Sequence, residues 1–227
     1  MDRDTIARCL PFIIYMAFVG VGEGLGWLGA RGIINYGDDA VRFLYPVKIT
    51  LVAVSLAVLW KHYSEVRFKG ISVSDTILSV VVGLVVFVLW INMDWPFAVF
   101  GEMEGYDPGI SGGGALPLAL TGIRIFGASV IVPVMEEIFW RSFLLRYIIN
   151  PDFMAVKIGR FTLVSFIISI ALFGLEHNMF LAGMMAGAAY TLLLYRTKSI
   201  AQCVIAHGVT NLALGIYVIN TGQWRFW

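Results

Sequence analysis

Charged residues are scarce in this chain. Asp, Glu, Lys and Arg make up 14 % of its 227 residues, against roughly 25 % in a soluble domain. That shortfall, with 59 % apolar residues and a mean hydropathy of +0.83, argues against a soluble domain and makes lipid the expected solvent. The formal net charge is only +1, so the chain has no electrostatic footprint for nucleic acid. Cysteine is nearly lacking too. Cys9 and Cys203 stand far apart, each in or beside an apolar stretch, which is neither a disulfide framework nor zinc-knuckle spacing. A cleavable signal is not expected. Arg3 and Arg8 precede an apolar run from Leu10, but Asp2 and Asp4 dilute the basic region and no small-residue cleavage site follows promptly. No internal repeat or soluble domain stands out, so residues 1–227 read as one membrane domain. Within it, 1–115 are N-terminal spans and a loop, and 116–219 are the core that carries the chemistry.

What is present is long apolar segments. A membrane span needs about 20 mostly apolar residues. About seven candidates centre on residues 10–29, 44–60, 74–92, 117–145, 161–177, 180–195 and 200–219. The predicted fold class is all-α: a polytopic transmembrane helical bundle around an intramembrane polar cavity. The fifth and sixth segments are short, which calls for tilt, local thinning or a re-entrant turn near Gly174–Asn178. Lys61, Arg67 and Lys69 follow the second segment, Lys157 and Arg160 the fourth, and Arg196 and Lys198 the sixth. The loop after the third is acidic, with Asp94, Glu102, Glu104 and Asp107. The positive-inside rule then puts the N-terminus in the cytoplasm and the tail Trp224–Trp227 outside. The expected location is a cell membrane, the inner membrane if the host is a prokaryote. Gly105–Gly114 reads as a loop.

Ionisable groups within such segments are costly, at least ~2.5–3.5 kcal/mol each at the centre of a span, and mark function by default. Here they gather in three places. Glu136 and Glu137 are followed by Arg141, and the four-residue spacing lets Glu137 pair with Arg141. Glu136, about 100° round the helix, has no local partner. Phe173 and His177 share a second face, with Glu176 turned elsewhere as a cap or an interfacial group. His207 and Asn211 share a third, beside Ala206 and Gly208, which permit close helix approach. Each group alone has a structural reading as well: a buried ion network for the first, an interhelical hydrogen bond for His177, and polar glue between helices for His207 and Asn211. Together, a carboxylate and an imidazole suit the activation of water, and a second imidazole and an amide suit an oxyanion. Glu136, His177 and His207 are equally a two-histidine, one-carboxylate set for a hydrolytic zinc, without the familiar His-Glu-x-x-His spacing.

These residues resemble the CAAX-protease and bacteriocin-processing family of intramembrane proteases, which includes the Ras-converting CAAX endopeptidases. The family pattern is Glu-Glu-x-x-x-Arg, then Phe-x-x-x-His, then His-x-x-x-Asn or Asp, on separate helices. The matches in order are Glu136-Glu137 with Arg141, Phe173 with His177, and His207 with Asn211. Tyr195–Ser199 is similar to the family's connection before the last motif. The resemblance covers about residues 120–215, and more loosely extends to an exosortase-associated bacterial subset. It implies an endopeptidase whose water is activated by Glu136 with His177. It implies oxyanion binding by His207 and Asn211, and a supporting role for Glu137, Arg141 and Phe173. It also implies a metal-free mechanism, with zinc as the older description. Its partners would be a peptide or protein substrate at the bilayer, prenylated in eukaryotes and a leader peptide or membrane-protein tail in prokaryotes. Oligomeric state is not legible.

Depth raises a tension. At about 1.5 Å per residue, Glu136 lies about 15 Å from the helix end at Arg146, whereas His177 lies about 25 Å from Arg160. An interfacial segment at 151–160 that lowers the start of the fifth span would reconcile them. Three rivals remain: a Cys203–His207–Asn211 thiol mechanism, disfavoured because a buried thiol is inert; an ion-coupled carrier, which lacks the usual repeat; and a non-catalytic scaffold. Glu23 is left as a cavity-lining group, a partner of Arg31, or an interfacial carboxylate.

Overall fold

The computed structural model describes residues 2–34, 38–101, 105, 107, 109 and 114–227. Seven helices lie among them: α1 Arg3–Ala30, α2 Asp38–Leu59, α3 Val73–Trp90, α4 Ala115–Tyr147, α5 Leu163–Leu175, α6 Phe180–Thr197 and α7 Ile200–Thr221. Their starts follow local chemistry. Asp2, Ser72, Thr162 and Ser199 each accept a hydrogen bond from the backbone N–H three residues on, satisfying donors that a helix N-terminus leaves over. Lys198 and Gly222, with φ of 54° and 68°, close α6 and α7 in the left-handed conformation.

Five segments are long and apolar enough to cross a membrane: α1, Phe43–His62, α3, α4 and α7. The chain is a multi-pass membrane protein on this ground. The expected fifth and sixth segments form helices but are not among the five: α5 has only 13 residues, and α6, at 18, carries glycine, alanine and Arg196. The chain nevertheless reverses at each connection. At one end Arg8 of α1 meets Glu65 of the α2–α3 loop and Ser142 of α4, and Lys198 after α6 donates to the Gly159 carbonyl before α5. At the other end Asp94 after α3 pairs with Arg225 after α7 at 2.9 Å. Glu102, Glu104 and most of the expected glycine-rich loop lie outside the described residues.

Small residues bring the helices close. A Cβ on Gly208 of α7 would stand 2.7 Å from the Ser129 carbonyl oxygen of α4, and one on Gly83 of α3 would overlap the Ala206 carbonyl. Buried polar pairs bind the same contacts: Ser79 donates to Gln202 at 2.7 Å and Thr210 to the Gly83 carbonyl at 2.8 Å. One apolar cluster joins Ile49 and Val52 of α2, Met135 and Ile138 of α4, and Cys203 of α7. Another joins Val86, Trp140, Phe173, Tyr190 and Ala206.

Candidate active site

α4 is not a uniform α-helix. Two π-helical turns, Gly127–Ile131 and Ile138–Leu144, bracket the stretch Val132–Glu137. Pro133 lies just beyond the first. Val132 N–H bonds back to the Gly127 carbonyl. The next residue, a proline, has no N–H for the Ala128 carbonyl. That carbonyl accepts from Asn211 Nδ2 of α7 at 2.8 Å instead. A helix irregularity thus fixes one of the predicted site residues. Enclosed by α1, α5 and α7, α4 is buried on every side at this level, so the consecutive Glu136 and Glu137 are both buried.

The expected Glu137–Arg141 pair forms, with Nε 3.2 Å from Oε2. Glu137 does more than the sequence reading gave it, because its Oε1 lies 3.0 Å from His207 Nδ1. A carboxylate flanked by a guanidinium can only accept, so Nδ1 carries the proton and Nε2 turns toward Glu136, 3.9 Å from its Oε2. That Glu136 oxygen is buried and makes no hydrogen bond. Tyr190 of α6 stacks on the His207 ring at 4.9 Å and 20°, while its hydroxyl bonds Thr210 at 2.8 Å. Nothing in the sequence motifs marked Tyr190, although a tyrosine directly after the glycines and alanines of α6 is the signal that was available.

His177 does not sit on α5. The helix ends at Leu175 and His177 lies in the turn, its backbone N–H on the Gly174 carbonyl at 3.1 Å. Its Nδ1 lies 2.8 Å from the Phe173 carbonyl, which accepts only, so Nδ1 holds the proton and Nε2 offers a lone pair. Trp90 of α3 meets the ring edge-on at 5.4 Å. Glu176 is the C-cap residue of α5, and Trp140 Nε1 donates to its side chain at 2.9 Å. The segment between α4 and α5 holds one short 3-10 turn, Phe153–Ala155.

Glu136, His177, His207 and Asn211 line one cavity of about 250 Å³, with Trp90 and Arg124 also in its wall. Phe226 and Trp227 reach it as well, a contact that assigning the tail to the outer side did not include. Two expected candidates stay outside. The Cys203 thiol is fully buried and donates to the Tyr190 carbonyl at 3.4 Å. Glu23 is exposed, and Arg31 stacks on Trp27 at 3.9 Å rather than pairing with it.

The fold is that of a multi-pass helical membrane protein with carboxylates and imidazoles gathered in its interior. Residues 118–213 match the family described as type II CAAX prenyl endopeptidase Rce1-like. The chain thus carries a domain of that family, over residues 118–213, and the family implies an intramembrane protease. No curated protein and no solved structure matches the chain. The matched stretch contains every motif residue, whereas Tyr15, Tyr45 and Trp90 bring α1, α2 and α3 to the cavity from outside it.

Proposed function

We propose that the chain is an intramembrane endopeptidase that cleaves a membrane-associated, prenylated or leader-type substrate by glutamate- and histidine-activated water. One observation carries the reading: four groups suited to amide hydrolysis, from α4, the α5–α6 turn and α7, line a single cavity. Glu136 has a buried oxygen without a hydrogen bond, and it takes the proton of the attacking water while His177 Nε2 orients that water. The water oxygen bonds to the substrate carbonyl carbon. The oxyanion is held by the His207 ring and by the second hydrogen of Asn211 Nδ2. Collapse breaks the C–N bond, and Glu136 returns the proton to the leaving amine. Glu137 and Arg141 hold His207 in place, and Phe173 seats Arg141, whose guanidinium lies 4.4 Å over its ring. Residues 116–219 are the catalytic core, completed by the N-terminal helices. Loop charge supports a cytoplasmic N-terminus.

The zinc alternative would use Glu136, His177 and His207. Among the described residues no three His, Cys, Asp or Glu side chains gather as a metal-binding group, and no step is routed through a metal.

The test is peptide-library cleavage by the purified protein, wild type against Glu136→Gln, with and without chelator. Glu136→Gln is expected to lose about 10²–10⁴-fold in kcat, and chelation to leave the wild type active. Full activity in Glu136→Gln overturns the mechanism. Loss on chelation with rescue by zinc moves the reading to a metallopeptidase.

A further inference from the structure

Glu176 takes no part in the hydrolysis, yet it directly precedes a residue that does, His177. Its charge acts on both Glu136 and Arg141, which sets it at the level of the site, behind the residues that line the cavity. An ionisable group at such a level is costly and marks function. Its partner is Trp140, whose Nε1 donates to Oε2 at 2.9 Å. Trp140 stands in the second π turn of α4, four residues beyond Glu136, about 6 Å along the axis at about 1.5 Å per residue. The bond therefore joins the turn that carries His177 to the helix that carries Glu136. Among the described residues, no other hydrogen bond or ion pair joins residues 176–179 to α4. The donor is itself held: the buried indole meets Phe173 edge-on at 5.6 Å and Phe12 of α1 at 5.7 Å. The bond from His177 Nδ1 to the Phe173 carbonyl sets the ring's rotation against its own helix, but not how far the turn stands from α4.

We infer that Glu176 is a positioning residue: its hydrogen bond from Trp140 clamps the His177 turn to α4 and sets the separation of His177 Nε2 from Glu136. This deepens the peptidase reading and rests on it. Both groups must reach one water, and the tolerance is narrow, since a misplacement of about 1 Å can cost about 10²-fold in rate. A turn is less rigid than a helix face, so the histidine needs a link that the helix α5 does not supply. The indole N–H only donates, and a carboxylate is a strong acceptor for it. The clamp needs an acceptor oxygen rather than a charge. Gln at position 176 offers a carbonyl oxygen at the same reach, whereas Ala offers none.

The experiment uses the purified full chain in detergent, as wild type, Glu176→Ala, Glu176→Gln, Trp140→Phe and the double variant of Trp140→Phe with Glu176→Ala. Two quantities are read. One is kcat and KM on a cleaved peptide. The other is the rate at which diethyl pyrocarbonate modifies His177, followed by mass spectrometry with His62, outside the cavity, as internal reference. Glu176→Ala and Trp140→Phe break the bond from opposite sides, so either suffices if the other fails to fold. Each is expected to lose about 10–10²-fold in kcat with KM unchanged. The double variant should lose no more than either single one, because both remove the same bond. Glu176→Gln should stay close to wild type. Modification of His177 should accelerate severalfold in the two single variants and not in Glu176→Gln. Wild-type kcat in both single variants, a loss carried by KM, or a loss in Glu176→Gln as large as in Glu176→Ala overturns the clamp and leaves the peptidase reading standing. Faster modification of His177 in Glu176→Ala and Trp140→Phe, with no cleavage by the wild type, keeps the clamp and overturns the peptidase reading. No cleavage and no change in modification overturns both.

Discussion

Arg141 shows how much of the site one side chain holds. It pairs with Glu137 on its own helix, lies 4.4 Å over Phe173 and 5.5 Å over Tyr190, and donates to the Gly187 carbonyl at 3.3 Å. Removing one partner of a buried ion pair leaves the other charged and uncompensated, which costs about 3–5 kcal/mol. Arg141→Ala is therefore expected to lower stability by about that amount, read as a fall in the unfolding midpoint in detergent. Arg141→Lys keeps the charge but not the planar stack, and its midpoint should fall between the two. The pairing with Glu137 was legible in the sequence because it is local: four residues put both groups on one helix face. The sharing of Glu137 with His207 was not. It depends on how α7 is rotated against α4, and no spacing within either helix encodes that.

The elements are positioned by their departures from regularity. Gly208 lets α7 approach α4 at the level of Ser129, and a methyl group there meets a backbone oxygen at 2.7 Å. Gly208→Ala is expected to destabilise by about 1–3 kcal/mol, the usual cost of overpacking. Because Asn211 lies on the same helix, activity should fall as well, in a peptide-cleavage assay run below the melting point. The third motif was readable as a close-packed face from Ala206 and Gly208 flanking His207. The depth conflict at His177 came from treating residues 161–177 as one helix. α5 starts at Leu163 and stops before His177, so the histidine enters the cavity from a turn and not from a helix face. The π turns of α4 had one visible cue, Pro133, but a proline alone does not say which carbonyl it leaves over or what takes it.

At the scale of the whole molecule, a second buried charge network ties the chain together away from the cavity. Arg8, fully buried, forks onto Glu65 at 2.8 and 3.0 Å, donates to the His62 carbonyl at 2.9 Å, and reaches Ser142. Arg146 lies 3.8 Å from the same carboxylate and bonds the Ser142 carbonyl. Burial pushes the Glu65 carboxyl up, but the hydrogen bonds from Arg8 and Ser142 and the charge of Arg8 outweigh it and hold the group below the ordinary glutamate value. Its contribution to stability is then complete above about pH 4.5, the ordinary value, and is lost as pH falls through the lower folded value. Thermal unfolding across that acid range should show a steeper decline for wild type than for Glu65→Gln. This network was not legible from spacing, since Arg8 and Glu65 lie 57 residues apart in segments that read as a flank and a loop. The class of the fold was readable from hydropathy, but the number of long apolar helices was not, because a 13-residue helix and a glycine-rich one reverse the chain without resembling full spans.

The pairing of Glu137 with His207 also bears on biosynthesis. The two residues are 70 positions apart, and at roughly 5–20 residues per second of synthesis α4 waits several seconds before α7 exists to meet it. During that interval Glu137 has only Arg141, made almost immediately after it, to offset its charge. The arginine that steadies the finished site is thus also the nascent helix's escort, keeping α4 insertable until the histidine arrives.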